Sequence, residues 1–180
     1  MDSRLKIRAM TRDDVDVISR AFGAQGWNKP ASQYEIYFRE QTRGRREVLV
    51  GLWDDEFAGY LTVAWKSYYP PFRKAGIPEI MDLNVLRGFQ RKGIASGLMD
   101  EAERLIAKRC RTAGIGVGLY PDYGPAQIMY VKRGYIPDGR SISRHGRQAA
   151  YGSRPIVDDD LVLCLTKDLS VAKKRKRLKK

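Results

Sequence analysis

The chain has 180 residues, with 34 Lys and Arg against 21 Asp and Glu, a formal net charge of +13. Its hydrophobic share of 43% is ordinary for a soluble globular domain, and no uncharged apolar run approaches the ~20 residues of a bilayer span. Seven of the surplus positive charges lie in the closing run KKRKRLKK, Lys173 to Lys180, which leaves +6 for the rest.

The length predicts one domain with a substantial core. The opening MDSRLKIRAM carries charges throughout and does not read as a signal peptide. Cys110 and Cys164 read as reduced thiols of a cytoplasmic protein. The basic run at the end reads as a disordered tail. It is either incidental or a salt-dependent, sequence-blind contact for nucleic acid or another polyanion.

In chain order, LKIRAM (Leu5 to Met10) alternates as a first strand. Thr11 is expected to cap a helix with Asp13 and Asp14 in its first turn, where the dipole favours negative charge. Gly23, Gly26, Asn28 and Pro30 interrupt the chain before a second helix from Ser32 to about Thr42. EVLVGLW and FAGYLTVAW form a hairpin across Asp54-Asp55-Glu56. KSYYPPFRKAGIP is too rich in proline for a strand interior.

A fourth strand, EIMDLNVL (Glu79 to Leu86), leads into a helix. GIGVGLY is a fifth strand, GPAQIMYVKRG a short helix and LVLCLTKDL a last strand. Residues Pro137 to Asp160 read as a polar, irregular link. Antiparallel strands followed by a βαβ unit indicate a mixed α/β sheet covered by helices.

The helix after the fourth strand poses an electrostatic question. Its apolar face, Ile94, Leu98, Met99, Ala102, Leu105 and Ile106, is regular. Its start carries Arg91 and Lys92, cations at the positive end of the dipole, beside Gly93. An anion resolves the conflict. Amides of Lys92 to Ala95 can converge on a phosphate, Gly93 lets it approach, and Arg91 and Lys92 supply counter-charge. The bland alternative is a solvated basic turn. No P-loop or dinucleotide fingerprint is present.

Gln90-Arg91-Lys92-Gly93-Ile94-Ala95 fits the Q/R-x-x-G-x-G/A signature, and the chain resembles the GNAT N-acetyltransferases. Val85, five residues before Gln90, and YVKRGY (Tyr130 to Tyr135), similar to the family's Y-x-x-x-G-F/Y, strengthen the match. The resemblance implies the GNAT fold. That is a mixed, mostly antiparallel central sheet of six to seven strands with about four helices, over residues 1–168, and residues 169–180 as the tail. It also implies an enzyme of the acyltransferase class (EC 2.3.1) that moves an acetyl group from acetyl-CoA to an amine by direct attack in a ternary complex.

Site residues follow from the same resemblance. Gln90, Arg91, Lys92, Gly93, Ile94 and Ala95 would hold the CoA pyrophosphate. Leu83, Asn84 and Val85 match the family's bulge in the fourth strand, whose backbone donors meet the acetyl carbonyl. Tyr130 sits at the tyrosine position of the general acid: a phenol of pKa ~10 is a suitable donor to a thiolate whose thiol has pKa ~8.5. A core tyrosine with a satisfied hydroxyl is the alternative. Glu79 is the candidate base, directly or through a water, with Asp82 as the other candidate; an ordinary strand carboxylate would explain either. Gly114, Gly116 and Gly118 share one strand face, open either to the pantetheine arm or to tight packing of a helix. One departure stands out: many relatives carry asparagine where this chain has Tyr123.

The lone His145 and the unpaired cysteine pattern predict no metal site, and no Ser-His-Asp arrangement is supported. Trp27, Tyr68, Tyr69, Phe72, Tyr151 and Asp158-Asp159-Asp160 are candidate acceptor contacts or simple loop packing. A small-molecule amine is the leading acceptor. Acetylation of a protein or aminoacyl-tRNA amine is the second reading, with the irregular 137–160 segment as the discriminating feature. A non-catalytic CoA-binding domain with a polyanion-binding tail is the third. No membrane partner is expected, and a homodimer is compatible with all three.

Overall fold

The computed structural model describes residues 2–170, so the tail expectation for Lys173 to Lys180 lies outside the described residues. The strands are β1 (Leu5–Ala9), β2 (Arg46–Trp53), β3 (Glu56–Ala64), β4 (Glu79–Val85), β5 (Thr112–Gly118), β6 (Ile136–Arg144), β7 (Arg147–Gln148) and β8 (Leu161–Asp168). The helices are α1 (Asp14–Ala24), α2 (Ala31–Thr42), α3 (Pro70–Ala75), α4 (Ile94–Ile106) and α5 (Gly124–Lys132). The result is an α/β protein with a mostly antiparallel sheet of eight strands, where six to seven were expected, and five helices rather than about four.

The chain divides into two compact units. The first runs to Trp65 and includes Ile80–Leu105, with strand order β1-β2-β3-β4. Its β2–β3 hairpin turns at Asp54 and Asp55, both left-handed (φ 52° and 66°), the backbone of a two-residue turn whose twist suits the strands. Val15, Ile18 and Phe22 of α1 bury one helical face, and with Tyr34, Val48, Val50, Phe57 and Tyr60 they form the core. On α4, Ile94, Leu98, Met99, Ala102 and Ile106 are buried, the face expected from their spacing.

The second unit comprises Lys66–Glu79 and the residues from Ile106 onward, with strand order β5-β8-β6-β7. β5 pairs β8 antiparallel from Thr112↔Asp168 to Gly118↔Val162. Leu169, just past β8, is buried, and its amide donates to the Arg111 carbonyl at 2.7 Å.

Three local readings change. The 137–160 link holds β6 and β7, hidden because Pro137, left-handed Gly139 (φ 77°) and left-handed Ser141 (φ 65°) erase alternation across a register shift between Pro137 and Ile142. The proline-rich stretch holds α3, which starts on Pro70, a residue pre-set for a first helical turn. Thr11 does not cap α1; its amide (2.7 Å) and hydroxyl (2.9 Å) donate to the Asp14 carboxylate instead. Burial works against the Asp14 charge, but Arg8 and Thr11 outweigh it and hold the carboxyl below its usual range. Both cysteines are free thiols.

Candidate active site

In the first unit, β4 is broken from within. Asp82 lies at φ 52°, in the left-handed region where a non-glycine residue is uncommon but aspartate is among the best tolerated. The Asn84 side-chain amide donates to the Asp82 carbonyl at 3.0 Å and staples the irregularity. Gly59 of β3 allows the close approach of this segment: a Cβ there would stand 2.5 Å from the Asn84 carbonyl oxygen and 3.0 Å from Val85 Cα. The expected acetyl-contacting residues Leu83, Asn84 and Val85 therefore directly follow a real break in the strand.

The chain then makes a short 3-10 turn, Arg87–Phe89, and enters the loop expected to hold the pyrophosphate. Gln90 is extended, and its side-chain amide reaches the Val85 carbonyl at 3.5 Å. Arg91 (φ 64°) and Gly93 (φ 83°) are both left-handed, so the backbone turns twice before α4 starts at Ile94. A Cβ at Gly93 would meet nothing within 4 Å, and the Gly93 carbonyl already accepts the Gly97 amide at 2.9 Å. Helix geometry leaves the first-turn amides, including those of Ile94 and Ala95, without intrahelical acceptors. Arg91 is exposed. The Lys92 ammonium lies 4.9 Å from the Phe89 ring centroid and 5.6 Å from that of Trp53, which fixes one cation beside the loop. Open space, oriented amides and two cations suit a pyrophosphate.

Also in the first unit is a polar network that the sequence reading missed. Tyr37 OH donates to Asp82 Oδ2 at 2.9 Å and accepts from Gln33 Nε2 at 2.9 Å. Thr62 Oγ1 lies 3.2 Å from the same Oδ2 and accepts from Arg46 Nη1 at 2.8 Å. Arg46, buried, also bonds Glu40 at 2.6 Å and stands over the Tyr37 ring at 4.5 Å. Burial disfavours the Arg46 charge, but Glu40 overcomes it and raises the pKa. Burial, then the Asp82 charge, push Tyr37 and Tyr60 upward; burial takes Tyr34 up to about 12. The available signal was faint: a threonine and a tyrosine, Thr62 and Tyr60, inside an otherwise apolar β3.

The second unit carries the other two candidates. Glu79 is buried, and Ser67 Oγ donates to its Oε2 at 2.6 Å while accepting the Tyr69 amide at 2.9 Å. Burial, then the Glu79 charge, push the nearby Cys164 thiol up to about 12, so it is inert as a nucleophile. Tyr130 on α5 is 5% exposed, and burial alone pushes it up to about 12. None of the described residues hydrogen-bonds its hydroxyl, unlike the satisfied core tyrosine that was the alternative.

The glycine face of β5 packs rather than opens. A Cβ at Gly114 would sit 2.4 Å from the Phe72 ring, and one at Gly118 would sit 2.5 Å from the Tyr123 ring. Tyr123, the departure from the family's asparagine, fills that space and donates to Asp159 at 3.0 Å. Most of the aromatic and acidic acceptor candidates are likewise engaged. Trp27 stacks on Phe22 at 5.5 Å, and Tyr69 and Phe72 are core. Asp158 pairs with Arg144 at 2.5 Å, and Asp160 lies 3.5 Å from His145. Tyr68 and Tyr151 are exposed. Among the described residues no group of three or more His, Cys, Asp or Glu is placed to hold a metal, and no helix is long and apolar enough to cross a membrane.

The family model of the acetyltransferase (GNAT) family matches residues 13–135, well over half the chain. The protein belongs to the GNAT family, and is thus an acetyl-CoA-dependent N-acyltransferase by class. Three solved structures share its fold. An N-acetyltransferase from Staphylococcus aureus Mu50 is 16% identical, covers 93% of this chain and 99% of its own, and superposes with a TM-score of 0.69. Spermidine/spermine N-acetyltransferase SpeG from Vibrio cholerae is 16% identical over 96% of this chain and 97% of its own, with a TM-score of 0.66. The Salmonella typhimurium acetyltransferase that modifies the N-terminal serine of ribosomal protein L7/L12 is 14% identical over 93% and 96%, with a TM-score of 0.67. No curated protein matches the chain in sequence.

Proposed function

We propose that the protein transfers the acetyl group of acetyl-CoA to a small-molecule amine by direct attack within a ternary complex. The observation that carries this reading is the loop Gln90 to Ala95. Its left-handed Arg91 and Gly93, open space at Gly93 and adjoining helix start form an anion cradle directly after the broken strand. Acetyl-CoA, when bound, supplies an activated thioester. Arg91, Lys92 and the amides around Gly93 to Ala95 hold its pyrophosphate, and backbone donors at Leu83, Asn84 and Val85 stabilise charge on the carbonyl oxygen. Glu79, with Oε2 fixed by Ser67, accepts the proton of the attacking amine. Tyr130, kept neutral by burial, delivers its hydroxyl proton to the departing sulfur.

The segment between β7 and β8 supports a bounded acceptor site. It is tied down by Arg144–Asp158 and Tyr123–Asp159. Acetylation of a protein amine is the second reading, favoured by the fold shared with the Salmonella enzyme.

A thermal melt with acetyl-CoA, and free phosphate as control, tests the proposal. Ligand at 100 times Kd adds about 2.7 kcal/mol, a rise of roughly 5–10 °C for a chain of this size. Gly93→Val, which strains a left-handed position and fills the open space, is expected to abolish the rise. An equal rise in both proteins would refute the pyrophosphate assignment.

A further inference from the structure

Asp82 combines three features that a structural aspartate does not need. It occupies a left-handed backbone position in the middle of a strand, an outlier of the kind that concentrates at functional sites. Its side chain is 24% exposed, so it is reachable. Its two oxygens are also treated differently. The hydroxyls of Tyr37 and Thr62 converge on Oδ2 alone, while no donor among the described residues reaches Oδ1.

The direction of those bonds is determined by their own partners. Gln33 donates to the Tyr37 oxygen and Arg46 donates to the Thr62 oxygen, so each hydroxyl has its proton left to give. Both protons point at Oδ2. The charge balance leads the same way. Arg46 bonds Glu40 at 2.6 Å but stands 4.0 Å from Asp82, so the Arg46–Glu40 pair cancels and the cluster keeps one negative charge, on Asp82. A carboxylate with one oxygen held and the other open, in a site of net charge −1, is a receptor for one cation with N–H donors.

We propose that Asp82 receives the acceptor amine as its ammonium ion through Oδ1, and that Tyr37, Thr62 and Arg46 are positioning residues that aim it. This rests on the acyl-transfer reading above and narrows it: the acceptor is a primary amine that is cationic at neutral pH. Asp82 binds the acceptor, and the removal of its proton is left to Glu79.

The test uses the full chain with butylamine and spermidine as probes, comparing wild type with Asp82→Asn. Asparagine tolerates the left-handed backbone, so the variant removes charge and keeps the turn. Calorimetric amine binding and amine-dependent release of the CoA thiol are both measured. Asp82→Asn is expected to weaken binding and raise the amine KM about 10- to 100-fold, the equivalent of one lost charge-assisted hydrogen bond, while the acetyl-CoA melting shift is kept. Tyr37→Phe, whose ring packing is preserved, raises KM less, and this second variant answers if Asp82→Asn fails to fold. An unchanged amine KM in Asp82→Asn, with turnover intact, overturns the assignment and leaves acyl transfer standing. Asp82-dependent amine binding without thiol release does the reverse. A wild-type chain that binds neither amine overturns the cationic-acceptor proposal.

Discussion

Two carboxylates three residues apart on β4 live in opposite surroundings. Glu79 is buried in the second unit, with Ser67 on one oxygen and the Cys164 thiol nearby. Asp82, in the first unit, is part-exposed on left-handed backbone, fed by two hydroxyls and shadowed by an arginine already paired elsewhere. Desolvation makes a carboxylate responsive to a proton, while a polarised, accessible one suits a whole cation. Residue type alone does not separate these roles, because environment decides them.

The largest effect that sharpens this contrast comes from Glu79→Gln. It is expected to lower kcat about 10²- to 10⁴-fold, the range for loss of a general base, with the amine KM little changed and partial recovery toward high pH as more acceptor is neutral. Steady-state kinetics across pH would check it. A KM effect with kcat intact would break the contrast by giving Glu79 the role assigned to Asp82.

Smaller in effect is the alkaline limit of stability. Tyr34 and Tyr130 have folded pKa values raised to about 12, chiefly by burial, and burial also raises Tyr37 and Tyr60 around Asp82. A phenol with a raised folded pKa contributes stability that is fully present below its unfolded value near 10. That contribution is lost as pH rises through about 12. Urea unfolding at successive pH values should therefore show stability falling from pH 10 upward by about 1.4 kcal/mol per pH unit for each such tyrosine. Tyr34→Phe should flatten that slope, and an unaltered slope would remove Tyr34 from the account.

Much of this was legible in the chain itself. The face of α4, the β2–β3 hairpin and the Gln90 to Ala95 loop are local patterns, and periodicity or turn chemistry reports them directly. β6 was not legible, because Pro137, Gly139 and Ser141 break its alternation and its pairing comes from β8, far along the chain. The Asp82 network was hidden for a related reason. EIMDLNV alternates as any strand would, and the partners Tyr37, Arg46 and Thr62 lie on three other elements, 20 to 45 residues away. Gly114 and Gly118 misled in the other direction. Bare strand positions invite a ligand or a ring equally, and Phe72 and Tyr123 took them.

The central claim is acyl transfer with Tyr130 as the proton donor. The most direct measurement is amine-dependent release of the CoA thiol from acetyl-CoA, in wild type and Tyr130→Phe, with the acetyl-CoA melting shift recorded for both. The account predicts turnover in wild type, and in the variant a loss of about 10²-fold or more in kcat with the melting shift kept. Equal turnover in the two proteins, or none in wild type despite a full acetyl-CoA shift, would contradict it.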